Sequence, residues 1–422
     1  MASTTDENRT AAKPILSQIA DAAHQLRLLP RKLLKLATHP SVHAFIGDNR
    51  IDAIGRWIDV KVMFKQRQKR CAAQNPDPST AEYLRTHFCE QPFRTLETSH
   101  NGLAFVCCPV WLPTPLGSLD SDPTALWTGP TAQAIRESIV DGSFRYCDHL
   151  NCSRITNRSL PPRDAPETQA IIDEYAPGKT APFPKHLILS HDKSCNLSCP
   201  SCRTRIYVAN KAKQAKLDAL TDKSLLPLLR EAEVVTITGS GDPFGSNHFR
   251  NLIKRLNGGE FPRLKIDLHT NGQLWDERAW KDLGLSGRVG YAQISIDATQ
   301  PDTYAFARRS GTFERLLKNL AFVKRLRETG EIQELEFSMV VQTRNFREMP
   351  AFVALGHEFL ADRVSFQMIR QRDIFSRDEY DEAFIGNPEH PDYAAFLDVL
   401  QSPDLASPYV HMGNVLAYVQ RH

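Results

Sequence analysis

The residues best suited to chemistry in this chain are its cysteines. There are nine, Cys71, Cys89, Cys107, Cys108, Cys147, Cys152, Cys195, Cys199 and Cys202, and none follows Cys202 in a sequence of 422 residues. Three form Cys195-x3-Cys199-x2-Cys202 inside SHDKSCNLSCPSCRTR (190–205). Three thiolates on one short loop can hold three irons of a [4Fe-4S] cluster and leave the fourth iron open for a small molecule. Zinc is the alternative, with His191 near enough to be a fourth ligand, although zinc favours four ligands and pairs spaced C-x2-C. A second set lies upstream, where Cys89 and Cys107 are followed by Cys147 and Cys152. Four thiolates from two separated pairs can close a complete site with no open position, and such a set suits an iron–sulfur cluster or zinc alike. Cys107 and Cys108 are neighbours, and neighbouring side chains of an extended segment face opposite ways, so only one of them readily meets a given metal centre.

The elements that must position these thiols begin at residue 185. From there short β-branched runs alternate with longer amphipathic stretches, the pattern of βα units. Strands are expected at 186–190, 234–238, 265–269, 292–296, 335–341 and 364–368, with helical patterns such as 223–232, 248–256 and 312–328 between them. Six units fall short of the eight that close a barrel. The three-cysteine loop follows the first strand. In a parallel α/β fold the loops at the strands' carboxyl ends converge on one mouth, where chemistry collects. The second strand runs into Gly239-Ser240-Gly241-Asp242-Pro243, the third into Thr270-Asn271-Gly272, and the fourth into Ser295-Ile296-Asp297-Ala298. Glycines let the backbone come close to a ligand. Arg308-Arg309-Ser310-Gly311 follows, and arginine offers a planar two-pronged donor to a carboxylate.

The C-x3-C-x2-C loop after the first strand of such a series resembles the radical S-adenosylmethionine (SAM) superfamily. Two details differ: Ser201 stands where an aromatic residue is usual before the third cysteine, and Asp242 with an extra Ser240 replaces a Gly-Gly-Glu-Pro-like segment. The resemblance implies an α/β fold, a partial (β/α)6 TIM-like barrel. It also implies a SAM-binding [4Fe-4S] cluster on Cys195, Cys199 and Cys202. Gly239, Ser240, Gly241 and Asp242 would meet the SAM amino group. Asn271, Ser295 and Asp297 would meet its ribose or carboxylate, and Arg309 would pair with the carboxylate. The chemistry implied is reductive cleavage of SAM to a 5′-deoxyadenosyl radical that takes a hydrogen atom from a substrate C–H bond.

The upstream set resembles the SPASM domain, which holds auxiliary clusters and begins C-x(9–15)-G-x4-C. Here Cys89-x12-Gly102-x4-Cys107 is joined by Trp111, a Pro-Leu-Gly-Ser-Leu turn (115–119), Trp127 and the run Arg136 to Gly142. Unlike its relatives, this module precedes the barrel and offers four cysteines. One auxiliary [4Fe-4S] cluster on Cys89, Cys107, Cys147 and Cys152 follows, with Cys108 left as the possible hydrogen donor of an epimerase. The reading favoured is epimerisation of a carbohydrate or glycoside natural product. Peptide epimerisation or crosslinking, or SPASM-type dehydrogenation, is the alternative within the same chemistry, and a non-catalytic zinc-binding scaffold is the alternative outside it. Expected partners are the glycoside or peptide substrate and an electron donor such as flavodoxin or ferredoxin.

Composition narrows the field further. With 41% hydrophobic and 24% charged residues the chain reads as globular. Its 52 basic and 49 acidic residues imply no nucleic-acid partner. No apolar run reaches the length of a membrane span, and the start MASTTDENRT lacks a secretory pattern, so a cytoplasmic enzyme is expected. The expected organisation is a helical region (1–80), a SPASM-like domain (81–165), the barrel (180–385) and a C-terminal helical segment (386–422). The run 26–39 reads as a basic amphipathic helix interrupted by Pro30. Residues 72–83 and 157–168, rich in proline and polar residues, read as linkers, and 372–393 as a loop over the mouth.

Overall fold

Alternation of apolar and polar residues along short strands sets the architecture. The computed structural model describes residues 64–176, 179, 182–371 and 375–419. The basic run 26–39, most of the helical region expected over 1–80, and part of the loop expected over 372–393 lie outside the described residues. Residues Met1–Ala73 and Gln74–His422 form separate compact units. Of the first, the described part is a helix, Phe64–Ala72, in which Phe64 and Cys71 are buried.

The second unit is built on a ten-stranded sheet. In chain order its strands are β1 (Thr95–Thr98), β2 (Leu103–Phe105), β3 (Gly117–Ser118), β4 (His186–Leu189), β5 (Val234–Ile237), β6 (Lys265–Thr270), β7 (Val289–Ser295), β8 (Ile332–Val341), β9 (Arg363–Met368) and β10 (Val410–His411). Spatially they run β10-β9-β8-β7-β6-β5-β4-β1-β2-β3. Strands β4 to β9 are the six expected from the sequence, all parallel and in sequential order. On one face Leu187, Val235, Leu268, Ile294, Phe337 and Phe366 are fully buried, because helices such as Asn247–Leu256 and Phe313–Glu328 cover it. The opposite face carries His186, Thr236, Asp267, His269, Tyr291, Gln293 and Glu336, as the two-residue strand period requires. That polar face satisfies itself: Glu336 accepts from Tyr291 Oη (2.9 Å), Gln293 Nε2 (2.7 Å), Ser365 Oγ (2.6 Å) and Arg363 Nε (2.7 Å).

Three features were not foreseen. Strand β1, from the upstream cysteine region, pairs in parallel with β4, with Thr95 opposite His186 and Thr98 opposite Leu189. The sheet therefore runs through the boundary expected between 81–165 and 180–385. Strand β10 adds a parallel edge beyond β9, so the C-terminal segment is not purely helical. Both expected linkers are ordered parts of the unit. Asp77 caps the helix Pro78–Thr86 by accepting from Thr80 N (3.0 Å), and proline fits the first turn of a helix. In 157–168, Leu160 is buried and its N–H donates to Tyr83 Oη (2.7 Å). Likewise 375–393 is not all loop: it holds the helix Arg377–Ala383, closed by a Ser376–Glu379 capping box.

Because a buried N–H without a partner is costly, Tyr83→Phe should destabilise the protein by about 1–2 kcal/mol. It should also open 157–165 to protease. Denaturant titration and limited proteolysis check this; unchanged cleavage would show that the hydroxyl does not hold the segment.

Candidate active site at the carboxyl ends of the strands

The loop after β4 is shaped by two buried aspartates. Asp192 accepts from Ser194 N (3.0 Å) and Ser194 Oγ (2.8 Å) on one oxygen and from Ser246 Oγ (2.6 Å) on the other. Asp242, 1% exposed, accepts from Phe244 N and Gly245 N (both 3.0 Å) and from Thr270 Oγ1 (2.8 Å) and Asn271 N (2.9 Å). Its own N–H donates to Ser194 O (2.9 Å). Burial pushes the Asp242 carboxyl above its usual range and these donors oppose the shift. Glycine is needed between them: a Cβ on Gly241 would stand 2.6 Å from the carbonyl oxygens of both Asp192 and Ser194.

Held in this frame, Cys195, Cys199 and Cys202 gather around Leu197. Each sulfur has an N–H donor. Cys195 Sγ receives Leu197 N (3.5 Å) and Asn271 Nδ2 (3.7 Å), Cys199 Sγ receives Arg308 Nη1 (3.9 Å), and Cys202 Sγ receives Arg203 Nη2 (3.6 Å). Burial pushes the Cys195 thiol up to about 11 and raises Cys199, while Arg203 and Arg308 respectively pull them back. Ionised sulfur is the metal-binding form, so cationic donors around buried thiols suit a set that works as thiolates. Among the described residues no group of three or more His, Cys, Asp or Glu side chains is drawn together to hold a single ion. A cubane has an iron at each ligated corner and takes thiolates that stand farther apart. The three thiols and their donors fit a [4Fe-4S] cluster held at three corners.

The other expected SAM-binding positions divide into two groups. At the open side, Ser240 N and Gly241 N donate to Thr238 Oγ1 (3.1 and 3.2 Å), and Ser240 Oγ donates to Ser190 O (2.6 Å). Gly239 leaves room at Ser190, whose buried Oγ has no partner among the described residues. Asn271 lies against Cys195, and Ser295 shares a hydrogen bond with Ser338 (3.1 Å). Asp242 and Asp297 are braces: Asp297 accepts from Val340 N (2.7 Å) and pairs with Arg308 (2.9 Å). Arg309, expected at a carboxylate of SAM, is instead taken up by the cysteine loop, through Ser198 Oγ (3.2 Å) and Thr204 O (3.2 Å). Its neighbour Arg308 faces Cys199. Sequence reasoning missed Arg203 and Arg308. Arg203 directly follows the third cysteine, which was the available signal, whereas nothing in the pair Arg308-Arg309 tells which guanidinium turns inward.

The upstream set is brought together as well. Cys89, Cys107, Cys147 and Cys152 line one pocket with Trp111 and Phe144, and Arg154 is its charged wall. Burial pushes Cys89 up to about 11 and raises Cys107 and Cys152, with Arg154 lowering Cys89 and Cys152. Cys108 is not among the lining residues. Burial pushes its thiol up to about 11, the Glu97 carboxylate adds to the rise, and Arg370 opposes it. Glu97, on the polar face of β1 and itself raised by burial to about 7, is a further titratable group that the sequence did not single out.

Comparison with known proteins places this geometry. Residues 189–342 match the family model described as the radical SAM superfamily. The chain is 30% identical over 186 residues to PqqA peptide cyclase of Gluconobacter oxydans, covering 43% of this chain and 48% of that protein. It is 31% identical over 190 residues to GTP 3′,8-cyclase of Petrotoga mobilis, covering 44% and 54%. The chain thus spans about half the length of these curated relatives. Solved structures similar to it include Streptococcus suis SuiB bound to the precursor peptide SuiA (19% identity, TM-score 0.33, 57% of this chain and 53% of that one). Another is anSMEcpe with bound AdoMet and the peptide Cp18Cys (18% identity, TM-score 0.36, 51% and 58%).

Gly241→Ala should force the Asp192 and Ser194 carbonyls apart and lower the iron bound after anaerobic reconstitution, while Gly259→Ala, whose Cβ would meet nothing within 4 Å, should bind iron as the wild type does. Iron and sulfide analysis of the two variants checks this pair.

Proposed function

We propose, from the radical SAM domain that residues 189–342 carry, that this protein is a radical SAM enzyme that modifies a peptide, with a second cluster on its upstream cysteines. The radical SAM family uses a [4Fe-4S] cluster and SAM, which when bound supply a 5′-deoxyadenosyl radical able to take hydrogen from an unactivated C–H bond. The observation that carries the reading is the loop after β4, whose three thiols gather around Leu197 and each receive an N–H donor. The match to a peptide cyclase favours a peptide over the carbohydrate or glycoside expected from the sequence.

Within that reading this chain's residues divide the work. The Gly239–Gly241 backbone and Asn271, which lies against Cys195, would hold the methionine end of SAM. The polar face of the sheet, between Glu97 and Ser338, orients the substrate and keeps water from the radical. Cys108, whose thiol feels the Glu97 carboxylate, would return a hydrogen atom in an epimerisation. Cys89, Cys107, Cys147 and Cys152 would hold an auxiliary cluster, the group that would supply an electron acceptor for an oxidised or crosslinked product. The one-electron donor is a flavodoxin- or ferredoxin-like protein.

Anaerobically reconstituted protein should carry about eight irons per chain as two [4Fe-4S] clusters. Replacing Cys195, Cys199 and Cys202 together, or Cys89 and Cys152 together, should each remove about half. Zinc without acid-labile sulfide would sink the reading. With dithionite, the wild type should form 5′-deoxyadenosine, and a cognate peptide encoded beside its gene should speed this where aminoglycosides do not. In deuterated water, deuterium in the peptide that is lost with Cys108→Ala identifies epimerisation; an undeuterated product two hydrogens lighter identifies oxidation or crosslinking.

A further inference from the structure

The three sulfurs of the β4 loop are alike in receiving N–H donors and unlike in the charge behind them. Cys195 meets the neutral amide of Asn271 and a backbone N–H. The guanidinium on Cys199 belongs to Arg308, whose charge is matched by Asp297 at 2.9 Å. The guanidinium on Cys202 belongs to Arg203, whose Nη2 also donates to Ser240 O and whose Nη1 donates to Lys193 O, both at 2.6 Å. No carboxylate pairs with Arg203 among the described residues.

We propose that Arg203 is a positioning residue that sets the reduction potential of the cluster on Cys195, Cys199 and Cys202 and latches its loop to the glycine loop after β5. The proposal rests on those thiols carrying the SAM-binding cluster. Adding an electron makes the cluster and its thiolates more negative. A cation that hydrogen-bonds a ligand sulfur therefore stabilises the reduced form more than the oxidised one and raises the potential. Arg308 exerts less of this effect because Asp297 already balances it. The two carbonyls fix the plane of the Arg203 side chain, so one Nη is aimed at Cys202 before any electron arrives. The other anchor, Ser240, is the residue by which the glycine loop is longer than its relatives' pattern. A lysine ammonium carries the charge without the planar array that reaches two carbonyls and a sulfur together.

The test is an EPR-monitored potentiometric titration of reconstituted wild type, Arg203→Gln, Arg203→Lys and Arg309→Gln, following the signal that changes when SAM is added. Arg309 touches the same loop through Ser198 and Thr204 and touches no sulfur, so it reports on loop disturbance alone. The expected result is full iron content with a midpoint more negative in Arg203→Gln, intermediate in Arg203→Lys and unmoved in Arg309→Gln. A midpoint unchanged in Arg203→Gln overturns the proposal, as does an equal shift in Arg309→Gln. Loss of iron from both Arg203 variants also overturns it, in favour of a purely structural latch. A wild type with no SAM-responsive signal overturns the cluster reading itself, and is distinguished from these outcomes because it precedes any variant.

Discussion

The site depends on two buried carboxylates that N–H and O–H donors satisfy. Asp192 and Asp242 are each satisfied by N–H and O–H donors from other loops, and through them the ends of β4, β5 and β6 and the start of the helix Asn247–Leu256 become one body. A buried carboxylate is tolerated only when its lone pairs are filled, so each aspartate selects a single arrangement of the donors around it. That selection positions Ser194, and Ser194 positions Cys195: its Oγ accepts Ala209 N (2.9 Å), beside the bridge in which Cys195 N donates to Tyr207 O (2.8 Å). The cysteine loop is thus folded back on itself by hydrogen bonds that no metal has to supply. Preorganisation of this kind lowers what a cofactor must spend in ordering its own ligands.

The same economy explains the two faces of the sheet. One face is packed by aliphatic and aromatic side chains under helices and contributes stability through area removed from water. The other concentrates ionisable groups in a poorly solvated place. Burial pushes Asp267 up to about 6 and His269 down to about 4, so at neutral pH both depart from their usual balance of charged and neutral forms. Such a face is expensive unless it is either closed on itself or available to a ligand. Glu336 and its four donors show the first solution at one level of the sheet; the Glu97 side chain, with no hydrogen-bond partner among the described residues, leaves room for the second.

Much of this was legible in the residues. Hydrophobic period and β-branched runs located all six central strands, because parallel strands buried on one face write their register into the sequence. Cysteine spacing singled out the two groups of thiols that the fold gathers, Cys195, Cys199 and Cys202 in one loop and Cys89, Cys107, Cys147 and Cys152 around one pocket. What escaped was whatever depends on partners distant in sequence. Asp242 reads as a ligand-facing residue in a glycine loop, and only Thr270 and Asn271 make it a brace. The proline-rich stretch 157–168 reads as a linker, and partners distant in sequence make it part of the core: the hydroxyl of Tyr83, 77 residues from Leu160, the N–H of Phe88 on Pro161 O and the carbonyl of Thr86 on Arg163 N. Arg308 and Arg309 are equivalent until the backbone beyond the helix Pro301–Ala307 turns one guanidinium to Cys199 and the other to Ser198.

Position in the chain is also a poor guide to position in space here. A sheet edge accepts a strand from either end of a sequence, and this sheet has taken one from each: β1 beside β4, and β10 beside β9. Cys89 and Cys107 flank the β1–β2 hairpin, so the upstream pocket is tied through β1 to β4, the strand that launches the three-cysteine loop. Four residues of parallel pairing between β1 and β4 join the two groups of thiols. Backbone hydrogen bonds, which any sequence can form, then fix the separation of the two groups more firmly than a linker could.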